Sequence, residues 1–207
     1  MKMENKQSTL EGISHHEIEQ KVIAVVAESL DLDPAEVLLT SSLENDFGAE
    51  SLDYLDIAYM LEREFNIQFP REDLLQRAAD YFGEEALVTK TGLVTDLGLE
   101  LLRKGMPELD THLLKPGIKA IDLRPLFTVQ TFVRVVERLL EAKQKFPREC
   151  PDCGTEIIEA DVLPQFQCPK CSKILPFPTG DEVIFQELVS LAKDTVMTGS
   201  KKNNPAD

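Results

Sequence analysis

The sequence predicts a mainly α-helical protein with a small cysteine-based module near its C-terminal end. Apolar residues recur at helical spacing in several stretches, for example in residues 51–65 and 128–140. Two C-x-x-C pairs lie within residues 150–171, a pattern typical of a metal-supported ribbon with short strands. A chain of 207 residues can hold one good core, or one core and a small module.

The predicted helices can be placed in order along the chain. The first helix covers residues 16–30, where the apolar residues share one face. Residues 33–36 resemble a capping box with proline at the first helical position, which begins a short turn. Prolines interrupt residues 107–127, so this segment should be mostly loop. The further predicted helices are 51–65, 71–82, 97–105, 128–144 and 181–197.

Ser51 lies where a polar loop meets the start of a helix. The loop is rich in Asn, Asp and Gly. The first N–H groups of a helix lack intrahelical partners, and the helix dipole is positive there. A phosphodiester on the Ser51 hydroxyl would therefore find a favourable local field. The apolar helical pattern after Ser51 consists of Leu52, Leu55 and Tyr59, widened by Tyr54, Ile57, Ala58, Leu61 and Phe65.

Two other roles for Ser51 are open on spacing alone. A serine at this position is most often only a helix N-cap. A catalytic serine has less support, because the G-x-S-x-G elbow is absent and the three histidines lie far off in sequence. The residues therefore indicate a cap or an attachment point, and they do not indicate a nucleophile.

Residues 43–70, LENDFGAESLDYLDIAYMLEREFNIQFP, resemble the core of the acyl carrier protein family. That family has a hydrophobic-Gly-x-Asp-Ser-Leu loop, an acidic second helix and an exit similar to EEFxIxIP. The resemblance extends to residues 16–37 and, for the last helix, to 128–140. It implies a four-helix bundle in which a separate transferase attaches 4′-phosphopantetheine to Ser51. The thiol of that arm would carry acyl groups as thioesters.

The chain departs from the family pattern at two places. Glu50 precedes the serine where the family usually has Asp. Roughly 50 extra residues separate Pro70 from the last helix, so a helical and loop insertion is predicted at about 71–127. We interpret its apolar residues as extra core. Alternatively, the insertion enlarges a space that shelters an acyl chain, or it forms a docking face for one dedicated enzyme.

The chain is strongly acidic, with a net charge of −15 and a pI near 4.6. This charge argues against nucleic acid or an anionic membrane as the main partner and favours basic protein surfaces. An acidic run is often only a solvated helix face. Beside Ser51, however, Glu50, Asp53 and Asp56 could steer a basic enzyme patch toward the serine. The resemblance implies the same docking, by the phosphopantetheinyl transferase and by acyl-loading and acyl-using enzymes.

Cys150, Cys153, Cys168 and Cys171 form two C-x-x-C pairs, with 14 residues between the pairs. Each pair can hold two thiolates on one ion, and two pairs complete a tetrahedral zinc site. Four thiolates leave no open position, so the zinc would be structural. Redox motifs or two disulfides are the alternatives, although no thioredoxin-like βαβ pattern surrounds the cysteines. Between the pairs, the sequence predicts two short strands supported by the metal.

These patterns give an expected domain organisation and location. No apolar run is long enough to span a membrane, and the first residues lack the apolar core of a signal peptide. We therefore expect a cytoplasmic protein, where reducing conditions favour metal binding over disulfides. The expected segments are a flexible N-terminus at 1–14, an acyl-carrier-like bundle at 15–146, a zinc ribbon at 147–178, a C-terminal helix at 179–198 and a flexible tail at 199–207.

The resulting hypothesis is a non-catalytic carrier of acyl groups for fatty acid, lipid or polyketide-like synthesis. The first alternative is an aminoacyl or peptidyl carrier, although the FGAESL loop and the acidic second helix favour acyl groups. The second is an unmodified, zinc-containing adaptor that only binds proteins.

Overall fold

A computed structural model describes residues 13–71, 74–106, 109–159 and 165–199, except for the side chains of 74, 76 and 191–199. The fold is mainly helical and has one small sheet, as predicted. None of the helices in these ranges combines the length and hydropathy needed to cross a bilayer. Of the segments 1–14 and 199–207, which are predicted to be flexible, residues 1–12 and 200–207 lie outside the described residues.

The described α-helices follow one another in chain order. They are α1 (His15–Ser29), α2 (Leu43–Phe47), α3 (Ser51–Phe65), α4 (Leu74–Phe82), α5 (Glu84–Leu87), α6 (Asp96–Gly105), α7 (Val129–Gln144) and α8 (Gly180–Gly199). Two 3₁₀ helices, Pro34–Glu36 and Ala120–Leu126, complete the helical content of the described residues. The second lies in the segment predicted to be loop. It includes Pro125 at its second-last position, where the proline nitrogen donates no hydrogen bond.

Local signals explain where the bundle helices begin and end. At the start of α1, the Ser14 amide donates to the Glu17 carboxylate at 2.8 Å, and the Glu17 amide donates to the Ser14 hydroxyl at 3.2 Å. Gly48 ends α2 in the left-handed conformation, with φ of 69°. The chain therefore turns directly from α2 into α3, which places residue 51 at the first position of α3.

A first core lies between α1, α3 and α7. Val22 and Val26 of α1 are fully buried against Leu61 of α3 and Val133 of α7. Burial of each such side chain contributes about 1.5–3 kcal/mol. The last helix of the bundle therefore packs on the family-like part of the chain although the insertion separates them in sequence.

The insertion forms a second core together with α8. Leu99, Leu101 and Leu102 of α6 are almost completely buried in it, and α8 contributes Ile184 and Leu188. The neighbouring Val183 reaches the first core instead. The helix that the sequence sets apart as residues 179–198 thus joins the two cores.

The ribbon is a three-stranded antiparallel sheet in the order β1 (Ile158–Glu159), β2 (Gln165–Gln167) and β3 (Ile174–Pro176). The first two strands lie between the cysteine pairs, where the sequence predicts two strands, and β3 follows the second pair. Phe146, just after α7, stacks on Phe166 with ring centroids 4.6 Å apart. The ribbon therefore packs against the C-terminal end of α7.

Candidate functional site

Ser51 is the first residue of α3, and its side chain is exposed. The preceding residue, Glu50, occupies the N-cap position, and its amide donates to the Asp53 carboxylate at 2.6 Å. Ser51 thus lies one residue inside the helix, and its hydroxyl accepts a hydrogen bond from Arg124 Nη1 at 3.4 Å. Arg124 is a permanent cation and cannot act as a base. This geometry suits an acceptor hydroxyl better than a nucleophile activated by its own protein.

The three predicted docking carboxylates surround the start of α3. Glu50 and Asp56 are exposed, whereas Asp53 is half-buried. Asp56 accepts a hydrogen bond from the Ser29 hydroxyl at 2.7 Å. Together the three carboxylates can contribute to a negative potential beside Ser51.

Only part of the apolar pattern of α3 is buried. Leu52, Leu55 and Tyr59, which begin that pattern in the sequence, are exposed, with Leu52 at 75%. The residues of α3 that are buried are Ile57, Ala58, Leu61 and Phe65. The helix therefore has two apolar stripes, and only one can face the first core. The helix has more apolar residues than one helix face can bury, and this excess is the sequence signal for the exposed stripe.

A cavity of about 230 Å³ opens between α3, α7, the insertion and α8. Its apolar lining includes Ala58, Phe132 and Ile184, with Arg71 and Arg138 also at its wall. These two arginines pair with Glu62 at 2.8 Å and Glu187 at 3.4 Å, respectively. The cavity is therefore an apolar space whose bordering cations already have acidic partners.

Tyr54 also lines this cavity, one helical turn after Ser51. Its hydroxyl oxygen is buried and has no hydrogen-bond partner among the described residues. Burial raises the pKa of Tyr54, so the group remains a neutral donor. The unpartnered Tyr54 hydroxyl lies beside Ser51, so it could donate a hydrogen bond to a ligand attached to that serine.

The four cysteines converge at one point, as predicted. Their Sγ atoms all lie within 4.8 Å of one another, with 3.4 Å between Cys153 and Cys168 and 3.6 Å between Cys150 and Cys171. Zinc with four Zn–S bonds of about 2.3 Å requires sulfurs about 3.8 Å apart. The cluster is compatible with one zinc ion. All four cysteines are free, so neither of the two disulfides considered as an alternative is present.

The surroundings of Cys153 favour its thiolate. Hydrogen bonds with the side chain and the backbone of Thr155 lower the pKa of the Cys153 thiol to about 6. The thiolate is the form of cysteine that binds a metal. In the same cluster, the pKa of the Cys171 thiol is instead raised to about 12.

Comparisons with known proteins address the part of the chain around Ser51. The family described as "Phosphopantetheine attachment site" matches residues 20–79. The acyl carrier protein of Amoebophilus asiaticus is 43% identical over 56 residues, which cover 70% of that protein and 27% of this chain. The chain belongs to the acyl carrier protein family. The acyl carrier protein of Prochlorococcus marinus is 42% identical over 60 residues, 75% of that protein and 29% of this chain.

The resemblance found in the sequence is thus confirmed. In this acyl carrier protein, residues 80–207 lie outside the range that the family description matches. They include α6, α8, the cysteine cluster and Arg124. No solved structure matches this acyl carrier protein.

Proposed function

We propose that this acyl carrier protein holds acyl groups on a 4′-phosphopantetheine arm at Ser51 and carries them between enzymes of fatty acid, lipid or polyketide-like synthesis. The observation that carries the proposal is the place of Ser51, exposed at the first position of α3 within the matched residues 20–79. When attached, the arm supplies a thiol that holds an acyl group as a thioester.

Attachment requires a separate transferase. The Ser51 oxygen forms the new bond to phosphorus, the nucleotide part of the donor leaves, and the transferase takes the hydroxyl proton. The only hydrogen-bond partner of that hydroxyl among the described residues is Arg124, which cannot take a proton. Glu50, Asp53 and Asp56 would guide the basic surface of the transferase and of the acyl-handling enzymes.

The cavity between α3, α7 and the insertion supports an acyl cargo. Its walls are mainly apolar, and it opens beside Tyr54 and Leu55, one turn after the attachment residue. We propose that it shelters part of the acyl chain. The insertion would then have a second use besides its own core, since Met106 and Phe127 lie in the cavity wall.

The cavity proposal is tested by the hydrolysis rates of octanoyl and acetyl thioesters on the modified protein. Ala58→Leu, which fills the cavity, should reduce the protection of octanoyl relative to acetyl. Ala24→Leu adds the same volume at an exposed position of α1 and is the matched control. Equal octanoyl-to-acetyl rate ratios in the native protein and in Ala58→Leu would show that the chain lies elsewhere.

We also propose that Cys150, Cys153, Cys168 and Cys171 hold one structural zinc ion. With four sulfur ligands the site is closed, so its contribution is to stabilise the three-stranded sheet. The hydrophobic core of the ribbon is small, formed by residues such as Ile157, Phe166 and Phe177. A unit with so little core depends on its metal.

The carrier proposal is tested by intact-mass analysis after co-expression with a broad-specificity phosphopantetheinyl transferase. The native chain should gain the mass of one phosphopantetheine group, and Ser51→Ala should gain none. Ser190→Ala is the matched control, because it removes an exposed serine of α8 and leaves Ser51 and its surroundings intact. If the native chain gains no adduct, the carrier proposal fails and the unmodified adaptor becomes the better interpretation. Preferential loading of the modified chain with amino acids would favour an aminoacyl carrier.

A further inference from the structure

Arg124 brings the insertion into contact with the attachment residue. It lies in the 3₁₀ helix Ala120–Leu126, 73 residues from Ser51 in sequence, and donates to the Ser51 hydroxyl at 3.4 Å. Its guanidinium also lies over the Tyr54 ring, 5.2 Å from the centroid. Within the described residues it forms no ion pair, although the chain around Ser51 is rich in carboxylates.

The backbone beside Arg124 is held from two directions. The Pro125 carbonyl accepts a hydrogen bond from the Ser42 hydroxyl at 2.7 Å and a longer one from the Asn45 side chain at 3.4 Å. On the other side, Leu123 is buried in the second core. The insertion is thus attached to the N-terminal end of α2 at this point, and this attachment orients Arg124 toward Ser51.

We propose that Arg124 binds the phosphodiester of the phosphopantetheine arm. The inference rests on the proposed function, since it requires an arm on Ser51. On modification, phosphorus replaces the hydroxyl proton. Its two non-bridging oxygens share a negative charge, and a guanidinium can contact both of them at once. Glu50 and Asp53 would repel that charge, whereas Arg124 and the first amides of α3 attract it.

The proposed contact uses a residue from outside the family-like part of this chain. Arg124 lies beyond residues 20–79, so the part of the chain that matches the family does not contain it. Modification of Ser51 would add a charge-assisted contact between the bundle and the insertion. The modified protein would therefore be more stable than the unmodified one, and the start of the arm would be held beside Tyr54 at the mouth of the cavity.

The test compares four modified proteins: native, Arg124→Gln, Arg124→Lys and Lys119→Gln. Lys119→Gln is the matched control, because Lys119 is exposed and lies next to the same 3₁₀ helix, and its loss changes the net charge equally. Intact mass first establishes that each carries the arm. The measured quantities are the ³¹P relaxation rate of the single phosphodiester and the shift in Tm between the unmodified and modified forms.

We expect a broad ³¹P signal and a raised Tm on modification in the native protein and in Lys119→Gln. Arg124→Gln should give a narrow signal and little or no Tm shift, and Arg124→Lys, which keeps the charge without the planar fork, should fall between them. If the native and Arg124→Gln proteins both carry the arm and show equal ³¹P relaxation, the role of Arg124 is overturned. The proposed function would not be affected by that result. A native chain that never gains the arm would overturn the proposed function and this inference with it.

Discussion

Lys143 of α7 and Glu159 of β1 form an ion pair where the bundle meets the ribbon. Their side chains are only 6% and 15% exposed. Lys143 Nζ also donates to the Asn66 carbonyl at 2.9 Å, and the Asn66 side-chain amide donates to Glu159. The ribbon is therefore joined to α7 by this ion pair and by Phe146, and to the C-terminal end of α3 by the hydrogen bond from Asn66.

Removal of one partner of this pair should destabilise the protein strongly. Glu159→Ala leaves the Lys143 ammonium buried without its carboxylate, which costs about 3–5 kcal/mol in comparable buried pairs. The measurement is the free energy of unfolding in urea. The double variant Lys143→Met, Glu159→Leu removes both charges and should recover most of the loss. A double variant as unstable as the single one would contradict the electrostatic explanation.

Loss of the metal should unfold the ribbon without preventing modification of Ser51. Ser51 begins α3 and Asn66 follows its end, so α3 separates the two sites by about 22 Å. Cys168→Ser, at the fully buried position among the proposed zinc ligands, should abolish zinc binding but still gain the phosphopantetheine mass. Zinc stoichiometry and intact mass measure the two outcomes. A native protein purified without added chelator that contains no zinc would contradict the structural zinc site.

Gly180 should not tolerate a side chain. A Cβ at this position would lie 2.4 Å from the Pro70 nitrogen and 2.6 Å from the Gln68 carbonyl oxygen, so the start of α8 would have to move. Overpacking of this kind costs about 1–3 kcal/mol, so Gly180→Ala should lower the Tm. Ser190→Ala, at an exposed position of α8, tests helix propensity alone and should leave the Tm unchanged or slightly raised. A Gly180→Ala protein as stable as the native one would show that α8 is less tightly packed on the bundle.

The exposed stripe of α3 should contribute to recognition by the transferase. Leu52→Ala removes a 75% exposed side chain beside Ser51, so the fold should be unaffected. If Leu52 is an anchor, its loss should reduce kcat/KM for modification by about tenfold, which corresponds to about 1.4 kcal/mol. Ile158→Ala removes an exposed apolar side chain from the ribbon and should leave kcat/KM unchanged. An equal effect of both substitutions would exclude a specific role for α3.

Stability should fall as pH rises through the folded-state pKa of His15. A hydrogen bond with Glu137 of α7, supported by the charge of that carboxylate, raises the pKa of His15 above its ordinary 6.5. The protonated form is thus favoured in the folded state, so its contribution is complete below the unfolded pKa and is lost above the folded one. His15→Gln should therefore reduce the fall in unfolding free energy between pH 6 and pH 8.5, whereas His16→Gln should not. Identical pH profiles for native and His15→Gln proteins would contradict this linkage.

The sequence by itself determined the features whose signals are local. Gly48, which ends α2, and the start of α3 place Ser51 at a helix N-terminus, and the C-x-x-C spacing brings the two cysteines of each pair together. Helical periodicity also located most helices within a few residues. These features depend on backbone conformation and hydrogen bonds between residues close in the chain, which is why a single sequence reveals them.

Only the tertiary structure decided which apolar stripe of α3 is buried and what lies beside Ser51. Leu52 and Leu55 are as apolar as Leu61, and they are exposed because α1 and α7 cover the opposite face. Arg124 reaches Ser51 because the Pro125 carbonyl is bound by Ser42 and Leu123 is buried in a separate core. Contacts of this kind join residues far apart in the chain. They depend on how the cores pack together, and no local pattern of residue types encodes that packing.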